Sequence, residues 1–552
     1  DMKINNYISD NYNNKEYQFE ENITLKDLAK KFGVEAYVAK VNNRLRELNF
    51  YLNFNCTVEF LDLTSFDAIR VYETSLRYLI IMALERLYPD IIVEFNQCVS
   101  RSISCNVMGI EEKVDTKFLV ALEEEMRKIV AADYPIIRKT IPKAEAIEIY
   151  KKKGYLDKNE VLKYREEEEV NIYVCDNYIN YLFGYMVPST GFLSKFQLRL
   201  YHPGFLVQFP RAEKGGKIPV FEDSPSFGRM LREARSWAKM CEADRIPLLN
   251  THATEASVID LVNICETKHN NMLAELGEII KKDIENIRLI CIAGPSSSGK
   301  TTFSNRLRIE LMSKGIKPFK ISMDDYYLDR DKAPLDEYGE PDLEHVDALD
   351  TDLFNDNLLS LIQGEEVQLP IFDFKLGKRV SGPKTRISQD TPIIIEGIHA
   401  LNEEVTKLIP KHQKFKIYIS PLSQIKIDNH NPIPATEIRL LRRIVRDSKY
   451  RQTHPAATFA MWPSVRRGEF KWIYPYQEQA DYIFNSELTY ELAVMKKYAL
   501  PVLAAIGRND EYFISANRLV KFLKYIKDID DRYVPCNSLL REFIGNSCFY
   551  DV

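Results

Sequence analysis

Histidine is scarce in this chain, eight in 552 residues, and none precedes His202. The first two hundred residues therefore offer no imidazole as a metal ligand or a base. Cysteine is thin too: nine residues form no C-x-x-C pair, and the closest two, Cys98 and Cys105, have no second pair at metal-ligand spacing. That excludes a disulfide framework and a zinc ribbon and points to reduced thiols in a cytoplasmic setting. No apolar run approaches the roughly 18 residues of a spanning helix, so no membrane partner is expected. The opening residues, rich in Asn and Tyr, do not read as a signal peptide. A net charge of -5 gives no global attraction to nucleic acid, so any polyanion site must be local.

What is present is an ordinary soluble composition, 45% apolar and 28% charged, in a length that suits about three or four domains. One stretch stands out. Gly294-Pro295-Ser296-Ser297-Ser298-Gly299-Lys300-Thr301 fits G-x-x-x-x-G-K-[ST] without a mismatch. The apolar run Leu289 to Ala293 before it suits a buried parallel strand, and Thr302 to Lys314 after it reads as a helix stopped by Gly315. In that context the backbone N–H groups of Gly294, Ser296, Ser297, Ser298, Gly299, Lys300, Thr301 and Thr302 can cradle a triphosphate. Lys300 would reach the β/γ-phosphates and Thr301 would hold magnesium.

The chain divides by pattern into residues 1–63, 64–245, a connecting helix within 246–287, an alternating strand–helix region 288–490, and a helical extension 491–552. In the first segment Tyr17–Phe19 and Val58–Leu63 read as strands and Leu25–Lys31 as a helix ended by Gly33. In the second, helices are expected over Ala68–Leu87, Thr116–Ala132 and Lys143–Lys152. Residues 254–287 carry apolar positions at helical spacing, which fits a packed connector. Strands at 288–293, 317–323, 391–396, 414–420 and 480–485 imply a parallel α/β sheet with helices on both faces. The last 60 or so residues read as a helical appendix.

Segment 1–63, with its Tyr37 to Leu45 stretch, resembles the small β-grasp-like TGS module at the front of threonyl-tRNA synthetases. The α+β segment 64–245, through Glu123-Glu124-Glu125-Met126 and Glu145-Ala146-Ile147-Glu148, resembles the editing-type second domain of those synthetases. That resemblance implies an H-x-x-x-H pair and a later C-x-x-x-H pair. Here Thr74 and Tyr78 occupy the first pair's positions and Leu182 and Met186 stand near the second, so the editing chemistry is expected to be absent.

Two acids fall where strands of the third segment end: Asp324, in Met323-Asp324-Asp325-Tyr326-Tyr327, and Glu396, in Glu396-Gly397. Ligands of such sheets sit at those ends, where a carboxylate can take a proton or hold magnesium. Arg439, Arg442, Arg443 and Arg446 follow i, i+3, i+4, i+7 spacing and read as one arginine face able to close over a phosphoryl group. His345, His399 and His454 read as structural.

With Leu343 to Asp350, Pro370 to Phe374 and Arg439 to Asp447, these motifs resemble the uridine kinase and phosphoribulokinase family. The resemblance implies a P-loop kinase using ATP and Mg2+ with Asp324 as catalytic base and Lys300, Arg439, Arg442 and Arg446 stabilising transfer. It implies metal contacts from Thr301, Asp324 and Glu396, and acceptor contacts from Glu344, Phe372, Phe374 and Arg439. Glu344 stands where an aspartate is usual, and Gly377 replaces the base-reading histidine. The expected activity is phosphorylation of the 5′-hydroxyl of uridine or a related pyrimidine nucleoside. Thymidine, ribulose phosphate or pantothenate remain alternative acceptors, and an RNA-associated nucleotide switch is the alternative outside catalysis. The lack of an obvious basic stripe in residues 1–245 speaks against nucleic acid as a partner. A homo-oligomer is compatible with the sequence.

Overall fold

The computed structural model describes residues 2–8 and 11–552. Near the start, Met2–Ile8 pairs antiparallel with Asn11–Phe19 and parallel with Cys56–Leu61 in a mixed five-stranded sheet. The helix Leu25–Phe32 buries Leu25, Leu28 and Ala29 against Ile4, Val58 and Phe60 of that sheet. Thr24 caps it by accepting from the Asp27 N–H, and Gly33 ends it in the left-handed region at φ 66°. The layout is the β-grasp-like one the sequence implies.

The next segment wraps two antiparallel sheets around the helix Phe66–Leu87, which is buried along most of its length. The expected helices form at Thr116–Ala132 and Lys143–Lys153. Thr74 donates to the Arg70 carbonyl oxygen at 2.8 Å, and the Tyr78 hydroxyl donates to the Tyr173 carbonyl oxygen at 2.9 Å. Leu182 and Met186 are buried in the same core. All four positions do packing work.

In the third segment Leu289–Ala293 lies at the centre of a five-stranded, all-parallel sheet. Ile393–Glu396 and Phe319–Ser322 flank it on one side, Lys414–Ser420 and Tyr482–Asn485 on the other. The five expected strands all form, Lys414–Ser420 in full and the other four trimmed at their ends. Alternation sorts their side chains between two layers. Leu289, Cys291, Ile393 and Ile395 pack on Phe354, Leu358 and Leu361 of the helix Thr351–Ile362. Ile290, Ile292, Ile394 and Ile417 pack on Phe303, Leu307 and Leu311 of the helix Lys300–Ser313. Each such aliphatic side chain stabilises the fold by about 1.5–3 kcal/mol when fully buried.

The long helix Glu255–Lys282 joins this second layer through Leu273, Leu276 and Ile280. Its other half, Val258 to Cys265, packs with the helices Ala435–Tyr450, Glu491–Ala504 and Phe513–Leu523. The connector is part of the kinase-like half. So is the expected appendix: residues after 491 complete that same core, and Leu539 and Phe543 pack beside the Lys300–Ser313 helix.

Candidate active site

The phosphate-binding run begins where the central strand ends. Gly294 is required by close approach, since a Cβ there would stand 2.0 Å from the Ile419 carbonyl oxygen. Gly299, at φ 94°, supplies the left-handed step into the Lys300–Ser313 helix. Within the loop the hydroxyl oxygens of Ser297, Ser298 and Thr302 are buried and lack a hydrogen-bond partner among the described residues. A buried polar atom without a partner is costly, so this donor set fits an oxygen-rich anion such as a nucleotide's phosphates.

The Lys300 ammonium donates to the carbonyl oxygens of Gly294 and Pro295 at 3.0 and 3.1 Å. The Thr301 hydroxyl donates to Glu396 Oε1 at 3.2 Å. Burial pushes Glu396 up to about 7, with Asp324 adding repulsion and Lys300 offsetting part of it. Burial raises Asp324 as well, against the pull of Lys300, Arg451 and Arg446. Lys300, Thr301, Asp324 and Glu396 thus form one electrostatic unit at the carboxyl ends of three strands, as expected from the sequence. Thr301, Asp324 and Glu396 supply the hard oxygen atoms that magnesium favours.

The arginine face is arranged differently from the expected lid. Arg439 is buried in a bidentate pair with Glu469, at 2.5 and 2.9 Å, and donates to the Ser296 carbonyl oxygen at 3.1 Å. Arg442 is buried in a bidentate pair with Glu491, at 2.8 and 2.7 Å, and donates to the Ser297 carbonyl oxygen at 3.2 Å. These two guanidiniums brace the loop through its carbonyl groups. They are committed to glutamates 30 and 49 residues away. Arg443 and Arg446 are the half-buried members of the row. Arg443 donates to Ser296 Oγ at 2.8 Å, and Arg446 pairs with Asp447 at 3.0 Å while its charge acts on Asp324. Arg451 adds to the positive side of the site, and the i, i+3, i+4, i+7 count alone could not separate Arg443 and Arg446 from the bracing pair.

The expected acceptor residues gather nearby. Glu344 is half-buried and raised to about 7 by burial, with the Arg443 charge opposing that rise. Phe372 is buried in the hairpin Val367–Asp373/Lys378–Thr385, and its N–H donates to Asp325 at 3.1 Å. Its ring meets Tyr327 edge-on at 5.9 Å and Phe374 at 5.0 Å. Phe374 is 55% exposed and sits at the rim. Tyr327 was not singled out by the sequence, although burial and the charges of Asp324 and Glu344 all raise its phenol. Gly377 turns the hairpin at φ 66°, and a Cβ there would stand 2.9 Å from Arg330 Cδ. A histidine there would have to take up the left-handed backbone and displace the Arg330 side chain. His345 and His454 each accept a backbone N–H, from Asp347 at 2.9 Å and Ala456 at 3.1 Å, as structural histidines do. Burial holds His399 down to about 4, so it is neutral.

Glu344 also gives a titration test. The folded chain keeps a proton on it that the unfolded chain releases from about 4.3 upward, so its contribution to stability falls as pH rises toward about 7. Glu344→Gln is expected to match the parent's melting temperature at pH 5 and to exceed it at pH 8, by about 2 °C or more. Thermal unfolding at the two pH values measures this.

No described helix is long and apolar enough to cross a membrane. Among the described residues, no hydrogen bond to the phosphate loop, Asp324 or Glu396 comes from residues 1–245. Comparison with known proteins finds relatives of two kinds. The N-terminal part is similar to threonine–tRNA ligases: 26% identical over 185 residues to that of Francisella tularensis subsp. novicida and 25% over 186 residues to that of Acetivibrio thermocellus. Each match covers 33% of this chain and 29% of the ligase, so the chain spans under a third of those relatives' length. A solved structure from Bacillus stearothermophilus, described as a possible uridine kinase, aligns over 37% of this chain and 98% of its own, at 18% identity and a TM-score of 0.25. Residues 289–493 match the Phosphoribulokinase / Uridine kinase family, and this chain thus joins a P-loop kinase fold that matches that family to a stretch similar to threonine–tRNA ligases.

Proposed function

We propose that the protein is an ATP- and magnesium-dependent kinase that phosphorylates the 5′-hydroxyl of uridine or a related pyrimidine nucleoside. The observation that carries this reading is the joining of Lys300, Thr301, Asp324 and Glu396 into one buried unit beside loop hydroxyls that lack partners. Thr301, Asp324 and Glu396 would hold magnesium, which would supply positive charge to the donor's phosphates. The chain's own groups do the rest. The loop's N–H groups hold the donor, and Lys300 exchanges its contacts with the Gly294 and Pro295 carbonyls for phosphate oxygen. Asp324 accepts the hydroxyl proton of the acceptor, and a carboxyl raised above its ordinary value by burial suits that task. Arg446 and Arg451, whose charges already act on Asp324, place positive charge on the same side. Glu344 and Tyr327 offer hydrogen bonds to sugar hydroxyls, and Phe372 offers an aromatic face to a base.

Because Gly377 puts no imidazole on the hairpin, base selection has to come from other groups, and thymidine, ribulose phosphate or pantothenate stay within reach of the same chemistry. ADP release measured over uridine, cytidine, thymidine and adenosine is expected to favour a pyrimidine ribonucleoside, with Lys300→Ala as the blank. Equal rates with and without every acceptor would remove the nucleoside reading.

A further inference from the structure

We propose that the segment 535–545 is an autoinhibitory plug on the phosphate loop, with the Glu542 carboxylate taking the place of a donor phosphate. The proposal rests on the nucleotide-binding reading of that loop. Glu542 Oε1 accepts the Thr302 backbone N–H at 2.8 Å. Thr302 is the third residue of the helix Lys300–Ser313, and its N–H is one of the four that the helix leaves free for an anion. The charge of Glu542 also acts on Lys300 and Glu396, so the carboxylate stands within the field of the transfer site.

A second contact seals the same place. A Cβ on Gly299 would stand 2.4 Å from Leu539 Cδ2, so the Leu539 side chain lies directly over the loop's second glycine. Leu539 is 1% exposed. The segment is anchored well enough to hold this position. Arg541 donates to the Asp531 and Val534 carbonyl oxygens at 2.7 and 2.9 Å, and Lys449 donates to the Ile544 carbonyl oxygen. Phe543 lies under the Arg442 guanidinium at 5.0 Å.

One N–H cannot serve a carboxylate and a phosphate at once, and two anions at that point repel. Donor binding therefore requires Glu542 to withdraw and Leu539 to lift from Gly299. The loop hydroxyls of Ser297, Ser298 and Thr302 stay unpartnered beside the plug, so Glu542 fills only part of the anion site. The segment lowers donor affinity until something draws it away.

The test uses the full chain and MgATP as the probe. Glu542→Gln keeps the side chain's shape and removes its charge. Calorimetric titration is expected to give a Kd for MgATP about tenfold lower in the variant, the scale of one charge-assisted hydrogen bond. An equal or weaker affinity in the variant, with the parent binding normally, would make Glu542 a structural brace and overturn the plug alone. Binding by neither chain would overturn the nucleotide reading and the plug with it. Should the variant fold poorly, hydrogen exchange on the parent chain decides. Amides of 538–545 are expected to exchange faster when MgATP saturates, and unchanged or slower exchange contradicts the plug.

Discussion

Asp324→Asn is expected to lower kcat for the nucleoside by about 10²–10⁴, the usual contribution of a positioned general base, and to change MgATP affinity far less. The separation follows from the geometry. The donor is held chiefly by loop N–H groups and Lys300, and an asparagine at 324 keeps one oxygen that magnesium can use. The acceptor hydroxyl, in contrast, would give its proton to Asp324, while Glu396 is engaged by the Thr301 hydroxyl. Burial lifts Asp324 while Lys300, Arg451 and Arg446 pull it back. Steady-state kinetics and a separate nucleotide titration distinguish the two effects. Undiminished turnover would exclude Asp324 as the base.

The second large effect concerns the arginines. Arg442→Ala leaves the Glu491 carboxylate buried and unpaired and strips a donor from the carbonyl groups of Ser297 and Ser486. Removing one partner of a buried pair costs about 3–5 kcal/mol. For a core of this size that corresponds to a fall of about 10 °C in melting temperature. Arg446→Ala is expected to behave in the opposite way. Its Asp447 partner keeps Arg443 at 3.4 Å, so the fold survives, while kcat falls about a hundredfold through loss of charge at the transfer site. Melting curves and kcat measured on both variants separate bracing from catalysis. A stable Arg442→Ala chain would undo the bracing role.

The sheet was legible because strands buried on both faces read as unbroken apolar runs, as Leu289–Ala293 and Ile393–Glu396 do. The phosphate loop was legible because its glycines answer to local geometry. Asp324 and Glu396 followed from their position at strand ends. The hairpin Val367–Thr385 was read only as acceptor-contacting residues: its exposed Ile371 and Val380 break the apolar-inside pattern, and Pro370 obscures the strand. The arginines were placed on one face correctly, but helical spacing carries no sign of what that face meets. Glu469 and Glu491 decide it, and they are distant in sequence. For the same reason Leu539 and Glu542 looked like part of an appendix: nothing local in 535–545 marks it as a cover for Gly299 and Thr302.

The most direct measurement follows the γ-phosphoryl group itself. The full chain is incubated with γ-labelled ATP, magnesium and uridine or cytidine, and the products are separated. Label is expected in a nucleoside 5′-monophosphate, with none there for Lys300→Ala and a trace for Asp324→Asn. Label recovered only as inorganic phosphate, at the same rate with and without nucleoside, would contradict transfer to a small hydroxyl acceptor.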